Sequence, residues 1–401
     1  MKKIIILICV FILSLQTLVF AYYPDTTFVW SENTIETSAE NLSEDFLELS
    51  CESAILVEQT TGKILYDKSS HSQLRPASVT KIMTLLLIME AIENGQINYD
   101  SKITCSENAA SLGGSQIWLE VNETLTVDEM LKAICIVSAN DCSVAMAEHI
   151  AGSESAFVDK MNEKAKKLNM NDTVFKNCHG IDEDGHITSS YDIALMSCEL
   201  LNKYPEITKY TTIWMDSLRN GESELVNTNK LIRTYDGATG LKTGSTSLAL
   251  YNLSASATRE NLSLIAVVMR APNPTDRVSN AKKLLDYGFS NYEYISTSTK
   301  NETIKNITIP KGIKNNIDLV CESSTGCIVQ KGNSTEITNE IIINKNISAP
   351  IKVNQVLGKI NFYLNDELIS STNLIATESI KKKNTLNMFE YISNTWGNLL
   401  R

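Results

Sequence analysis

Between residues 51 and 292, short apolar runs alternate with longer helical stretches in a definite order. Ala54-Ile55-Leu56-Val57 and Lys63-Ile64-Leu65-Tyr66 flank Thr60-Thr61-Gly62, a strand–turn–strand pattern. The densest run follows Pro76. Ile82, Met83, Leu85, Leu86, Leu87, Ile88 and Met89 make seven apolar residues in eight, which suits a helix buried on most of its sides. A polar stretch then leads to a loop with Gly113-Gly114. Thr126-Val127-Asp128-Glu129 has the form of a capping box, and the helix it opens stops at Ser138-Ala139-Asn140. Further helices are predicted from Asp141 to near Gly152, over 154–168 and over 191–201, with a loop at 171–190. Strand patterns return at 240–245, 251–258 and 262–269, before a helix over 276–287. Strands at both ends with helices between them imply an α/β (α+β) domain over 51–292, built as one antiparallel sheet with a helical block packed on it.

Residues 300–375 have a different pattern. Ile317 and Leu319, Ile351 and Val353, and Ile360, Phe362 and Leu364 alternate with polar residues, and Gly, Asn and Pro separate the runs. This predicts a small all-β domain with no catalytic constellation, acting as a spacer. Residues 380–401 place Lys381-Lys382-Lys383 before a stripe of Leu386, Phe389, Ile392, Trp396, Leu399 and Leu400, with Asn, Ser and Thr opposite. A basic start, an interfacial tryptophan and one apolar face describe an amphipathic helix lying on a membrane surface, too short and polar to span it. At the other end, Lys2 and Lys3 precede an apolar run closed by Val19-Phe20-Ala21. That is the form of a cleaved signal peptide over 1–21, with Tyr22 first in the secreted chain and a polar linker over 22–50.

Composition narrows the field. The 401 residues, 43% hydrophobic and 21% charged, suit an ordinary globular protein of two domains. A net charge of −11 excludes the basic footprint of nucleic-acid binding. Removing Cys9 with the leader leaves eight cysteines. Cys135, Cys142 and Cys198 lie in helical stretches as buried free thiols, while Cys321 and Cys327 flank Glu-Ser-Ser-Thr-Gly in an expected hairpin and are the candidate bridge. His71, His149, His179 and His186 have no metal-ligand spacing, so neither a metal nor another cofactor is predicted.

The chemistry concentrates in three short motifs. Ser78 and Lys81, i and i+3 at the start of the buried helix, would meet about 5–6 Å apart at Cβ. A serine alcohol needs a base, and a lysine becomes one when burial, a nearby cation and a helix N-terminus disfavour its ammonium form. Ser138-x-Asn140 falls in the connection between two helices, where side chains can face a cleft. Lys242-Thr243-Gly244 lies on a strand, followed by Ser245.

Together S-x-x-K, S-x-N and K-T-G in this order are the signature of penicillin-binding proteins and class A β-lactamases. The chain resembles the D-alanyl-D-alanine carboxypeptidases, low-molecular-mass penicillin-binding proteins of the secreted, membrane-anchored type and the β-lactamase/transpeptidase-like fold. The likeness is close over about residues 50–290, in SAILVEQTTGKILYDK, PASVTKIMTLLLIMEA, GGSQIWLE, SANDCSVAMAEHIAG, HGID and GLKTGSTS. Its nearest flavour is the sporulation-associated Gram-positive type.

The resemblance implies that Ser78 attacks the carbonyl between the terminal D-alanines of a peptidoglycan stem peptide, with Lys81 as base. Ser138 would relay the proton, Asn140 would hold Lys81 and the substrate amide, and Lys242 and Thr243 would meet the terminal carboxylate. Gly244 would make room for the substrate backbone, the N–H groups of Ser78 and Ser245 would hold the oxyanion, and Arg277 is a candidate second carboxylate anchor with a surface arginine as the alternative. β-Lactams would acylate Ser78. The rival readings are a β-lactamase, for which no Glu-x-x-Leu-Asn occurs between Ser138 and Lys242, and a non-catalytic wall scaffold. Leu250 departs from the family, which has glycine before the tyrosine, and His179-Gly180-Ile181-Asp182 is expected to be a structural loop.

Overall fold

The computed structural model of the chain describes residues 46–332 and 337–384. The signal peptide, most of the linker and most of the 380–401 segment lie outside these residues. In the larger domain, strands β1 (Ser53–Glu58) and β2 (Ile64–Lys68) precede helix α1 (Lys81–Glu93). A small β3–β4 pair (Lys102–Thr104 and Thr124–Thr126) leads to helices α2 (Val127–Ile136), α3 (Asn140–Ala151), α4 (Glu154–Lys167) and α5 (Ser190–Lys203). The hairpin β5–β6 (Met215–Leu218, Ser223–Val226) is followed by β7 (Ala238–Thr246), β8 (Leu250–Arg259), β9 (Leu262–Ala271) and helix α6 (Pro274–Asn291). The main sheet runs β2-β1-β9-β8-β7, with every pair antiparallel. The expected architecture is therefore present.

The local causes are legible. α1 is apolar on all sides and is packed that way, with Ile82, Met83, Leu85, Leu86, Ile88 and Met89 at most 1% exposed. Each buries roughly 2 kcal/mol of gross hydrophobic stabilisation, so this rod is a rigid base for whatever its first turn presents. α2 begins with a full capping box, in which Thr126 Oγ1 accepts from the Glu129 N–H at 3.2 Å and a Glu129 carboxylate oxygen accepts from the Thr126 N–H at 2.7 Å. Gly152 ends α3 in the left-handed conformation, as a C-terminal glycine does.

One face of the sheet packs Leu56, Leu253, Leu264, Ala266 and Val268 against Leu284, Leu285 and Phe289 of α6. Leu49 belongs to this core and Phe46 stacks edge-on against Tyr66, so the end of the expected linker is built into the fold.

The strand-rich part starts directly after α6 with β10 (Tyr292–Ser298), followed by β11 (Thr303–Thr308), β12 (Asn316–Cys321), β13 (Thr325–Gln330), β14 (Ile337–Ile343), β15 (Val356–Leu364) and β16 (Glu367–Ala376). Its sheet order is β11-β12-β16-β15-β14, over a core that includes Leu319, Ile360, Phe362 and Leu374. Two expectations fail here. Ile351 is buried but Val353 is exposed, and Ile351 joins Ile380 through an isolated bridge rather than a strand. The hairpin reading of Cys321 and Cys327 is also wrong. β12 pairs with β11 and β16, whereas β13 pairs with β10, so the two cysteines enter different sheets as buried free thiols.

Candidate active site

Ser78 does not lie in α1 itself but in a 3-10 turn (Ala77–Thr80) that feeds it. Ala77 takes a φ of +49°, a costly left-handed conformation for a residue with a Cβ. Several distant groups fix the turn. Asn252 Nδ2 donates to the Arg75 carbonyl at 2.9 Å and to the Pro76 carbonyl at 3.0 Å. His186 Nδ1 accepts from the Lys176 N–H at 3.0 Å, which leaves its Nε2–H to donate to Thr80 Oγ1 at 2.8 Å, and Thr80 Oγ1 donates on to the Ala77 carbonyl at 2.9 Å.

Two glycines press on the same turn. Gly180 has a φ of +91°, and a Cβ there would overlap the Ala77 carbonyl and lie 2.9 Å from Ser78 N. A Cβ on Gly244 would lie 2.9 Å from Pro76 O, Ser78 N and Val79 N. Gly244 is thus required by the protein's own turn, a reason other than the room for substrate expected of it.

Ser78 is half-buried, while Lys81 behind it is 0% exposed. Lys81 Nζ lies 3.2 Å from Ser78 Oγ and donates to Asn140 Oδ1 and the His179 carbonyl, both at 2.6 Å. Burial holds its pKa well below the ordinary lysine value, and the neighbouring Lys242 cation lowers it further. Asn140 is itself pinned, with its Nδ2 on Gly113 O and its N–H on Ser115 O, each at 2.7 Å. Ser138, at a φ of +67°, carries a buried Oγ without a hydrogen-bond partner among the described residues. A buried orphan hydroxyl beside Asn140 is costly to keep unless something else uses it.

The third wall is β7. Lys242 is 1% exposed and its Nζ donates to the Thr243 carbonyl at 2.9 Å. Burial pushes its pKa down to about 7, with the Arg277 guanidinium adding to the effect. Thr243 Oγ1 lies 2.7 Å from Thr228 Oγ1, and Ser245 is exposed on the same strand. Arg277 is half-buried rather than a fully exposed surface arginine. Its Nη1 is 3.5 Å from the carbonyls of Gly244 and Asn252, its guanidinium lies 5.7 Å from the centre of the Tyr251 ring, and its Nε is unpartnered among the described residues.

The structure therefore brings the three motifs together, with Ser78 against Lys81, Lys81 against Asn140, and Gly244 against the Ser78 turn. Sequence reasoning missed His186, Thr80 and Asn252, and also the part played by His179. The His179 side chain is neutral at physiological pH, its pKa lowered to about 3 by burial and by Lys81, and it serves through its main-chain carbonyl. Only the HGID text pointed there.

A family model described as D-alanyl-D-alanine carboxypeptidase matches residues 37–273. The chain belongs to that family. It is an enzyme, a serine-type D-Ala-D-Ala carboxypeptidase, and a second model, the C-terminal domain of penicillin-binding protein 5, matches residues 292–382. The D-alanyl-D-alanine carboxypeptidase DacF of Bacillus subtilis is 45% identical over 348 residues, covering 86% of this chain and 89% of its own. DacD of Escherichia coli is 32% identical over 344 residues, covering 83% and 87%. Among solved structures, penicillin-binding protein 5 of Haemophilus influenzae superposes with a TM-score of 0.73 at 30% identity, over 84% of this carboxypeptidase and 98% of that chain. Penicillin-binding protein D2 of Listeria monocytogenes, solved with ampicillin bound, gives a TM-score of 0.56 at 29% identity, over 61% and 99%.

Proposed function

We propose that Ser78 is the nucleophile and Lys81 its base in the removal of the last D-alanine from peptidoglycan stem pentapeptides. The arrangement around Lys81 Nζ carries the proposal. A neutral amine has two N–H groups and one lone pair. The carbonyls of Asn140 and His179 can only accept, so they take both N–H groups and leave the lone pair for the Ser78 hydroxyl. Ser78 Oγ then attacks the carbonyl carbon of the penultimate D-alanine as its proton passes to Lys81. Collapse of the tetrahedral adduct breaks the C–N bond, the departing amine takes its proton through the Ser138 hydroxyl, and free D-alanine leaves. Water, deprotonated by Lys81, hydrolyses the ester and restores Ser78.

Lys242, Thr243 and Arg277 hold the substrate carboxylate, and the Ser78 and Ser245 N–H groups hold the oxyanion, an effect of about 2.7–4 kcal/mol for one donor. A penicillin presents the same carboxylate and a strained amide, and acylates Ser78. The test is release of D-alanine from a pentapeptide ending in D-Ala-D-Ala. The wild-type enzyme releases it and the Ser78→Ala variant does not, whereas turnover by that variant would refute the assignment.

The reading extends to location. The leader pattern at 1–21 and the basic, amphipathic pattern at 380–401 support secretion and peripheral attachment at the outer face of the cell membrane. No described helix is long and apolar enough to cross a membrane. Deleting residues 385–401 moves the enzyme from the membrane fraction to the soluble fraction on this reading, and unchanged fractionation would refute it. A role in sporulation is supported by the resemblance in sequence alone, and expression confined to vegetative growth would contradict it.

A further inference from the structure

Between β6 and β7 runs Asn227-Thr228-Asn229, in which an exposed threonine stands between two buried asparagines. None of the three has a part in the mechanism above. Asn227 Nδ2 donates to the carbonyls of Ile213 at 2.8 Å and Thr211 at 3.2 Å, and its Oδ1 accepts from the Asn229 N–H at 2.8 Å. Asn229 Nδ2 donates to the Gly240 carbonyl of β7 at 2.8 Å, two residues before Lys242. The Thr228 N–H donates to the carbonyl of Ile136, the last residue of α2, at 3.1 Å. The Thr228 backbone is therefore tied both to β7 and to the helix that leads into Ser138.

A β-branched side chain on a fixed backbone has few rotamers. The one adopted here puts Thr228 Oγ1 2.7 Å from Thr243 Oγ1, on a threonine that is itself 6% exposed. Each hydroxyl has a single proton to donate, and a carboxylate can only accept. Thr243 therefore holds a carboxylate only by turning its proton toward the anion, and the proton between the two threonine oxygens must then come from Thr228. In the reverse order, Thr243 donating to Thr228, it would offer the anion nothing but lone pairs.

Building on the carboxypeptidase reading, we propose that Thr228 is a positioning residue for the substrate carboxylate, donating to Thr243 and so aiming the Thr243 proton at the anion. Hydrogen bonds in such a chain polarise one another, so the bond to the carboxylate is strengthened as well as aimed.

The experiment uses Thr228→Val, which keeps the shape and removes the donor, and Thr228→Ser, which keeps the donor. The readouts are kcat and KM for D-alanine release from a pentapeptide ending in D-Ala-D-Ala, the second-order rate of acylation by benzylpenicillin, which also carries a carboxylate, and the urea midpoint. Thr228→Val lowers kcat/KM about tenfold, mainly through KM, and slows acylation about tenfold with the midpoint unchanged, while Thr228→Ser stays within about threefold of wild type. In a Thr243→Val background, Thr228→Val no longer changes the acylation rate, because the hydroxyl it aims is gone. A loss that serine does not rescue would overturn the proposal, as would one that persists undiminished in the Thr243→Val background. A wild-type enzyme that releases no D-alanine would overturn the carboxypeptidase reading and this inference with it. Wild-type release with an unchanged KM in Thr228→Val overturns only the inference.

Discussion

Replacing Gly180 with alanine tests whether the nucleophile is held from the side. The residue sits at a φ of +91°, outside the region that L-residues adopt easily, so any Cβ costs about 1–2 kcal/mol in backbone strain. The added methyl also overlaps the Ala77 carbonyl and lies 2.9 Å from Ser78 N, where ordinary contact begins near 3.4 Å. The turn cannot retreat freely, because Gly244 closes on Pro76 O, Ser78 N and Val79 N from β7, and Asn252 fixes the Pro76 carbonyl. Overpacking of this kind costs about 1–3 kcal/mol, which makes the expected total about 2–5 kcal/mol. Whatever relief is found comes from moving Ser78, and a shift of about 1 Å in a reacting group costs roughly 100-fold in rate. The assay is the second-order rate of acylation by benzylpenicillin, alongside the urea midpoint. A rate at least tenfold slower and a lower midpoint are expected. Acylation within twofold of wild type would show that the turn is not confined as described.

Other consequences follow from the same geometry. Ser138→Ala removes a buried hydroxyl that has no partner among the described residues, so it raises stability by about 1 kcal/mol in urea unfolding while lowering D-alanine release at least 100-fold. Lys242 has a folded pKa of about 7 against an unfolded value near 10.5, so between these limits the unfolded chain binds the extra proton and stability rises with pH. The wild-type urea midpoint therefore climbs from pH 7 to 9, by up to about 1.4 kcal/mol per pH unit from this group, and Lys242→Met flattens the climb while weakening carboxylate binding. Leu250 has a φ of +55°, which explains the glycine expected at that position. Leu250→Gly exchanges a strain of about 1–2 kcal/mol for a chain-entropy cost of about 0.5–1 kcal/mol. Its urea-unfolding free energy stays within about 1 kcal/mol of wild type, whereas Leu241→Gly, fully inside β7, loses more than 2 kcal/mol.

The legible parts of the sequence were those whose causes are local. Seven apolar residues in eight suit a buried helix, and Thr126 and Glu129 bond across three residues, so α1 and the start of α2 could be placed without coordinates. The order of Ser78, Asn140 and Lys242 along the chain was also readable, because each motif carries its chemistry in two or three residues. What supports them was not. Asn252 meets Arg75 across 177 residues and His186 meets Thr80 across 106, and a lone asparagine or histidine leaves no periodic trace. Gly244 was assigned to the substrate because the backbone that presses on it comes from a distant part of the chain. Cys321 and Cys327 misled for the opposite reason, since closeness in sequence suggested a hairpin that the strand pairing does not form.

Mass spectrometry of the enzyme after treatment with benzylpenicillin tests the central claim most directly. The account predicts a single penicilloyl adduct on the peptide containing Ser78, absent from the Ser78→Ala variant. An adduct on Ser138, on Ser245 or on any other residue would contradict it.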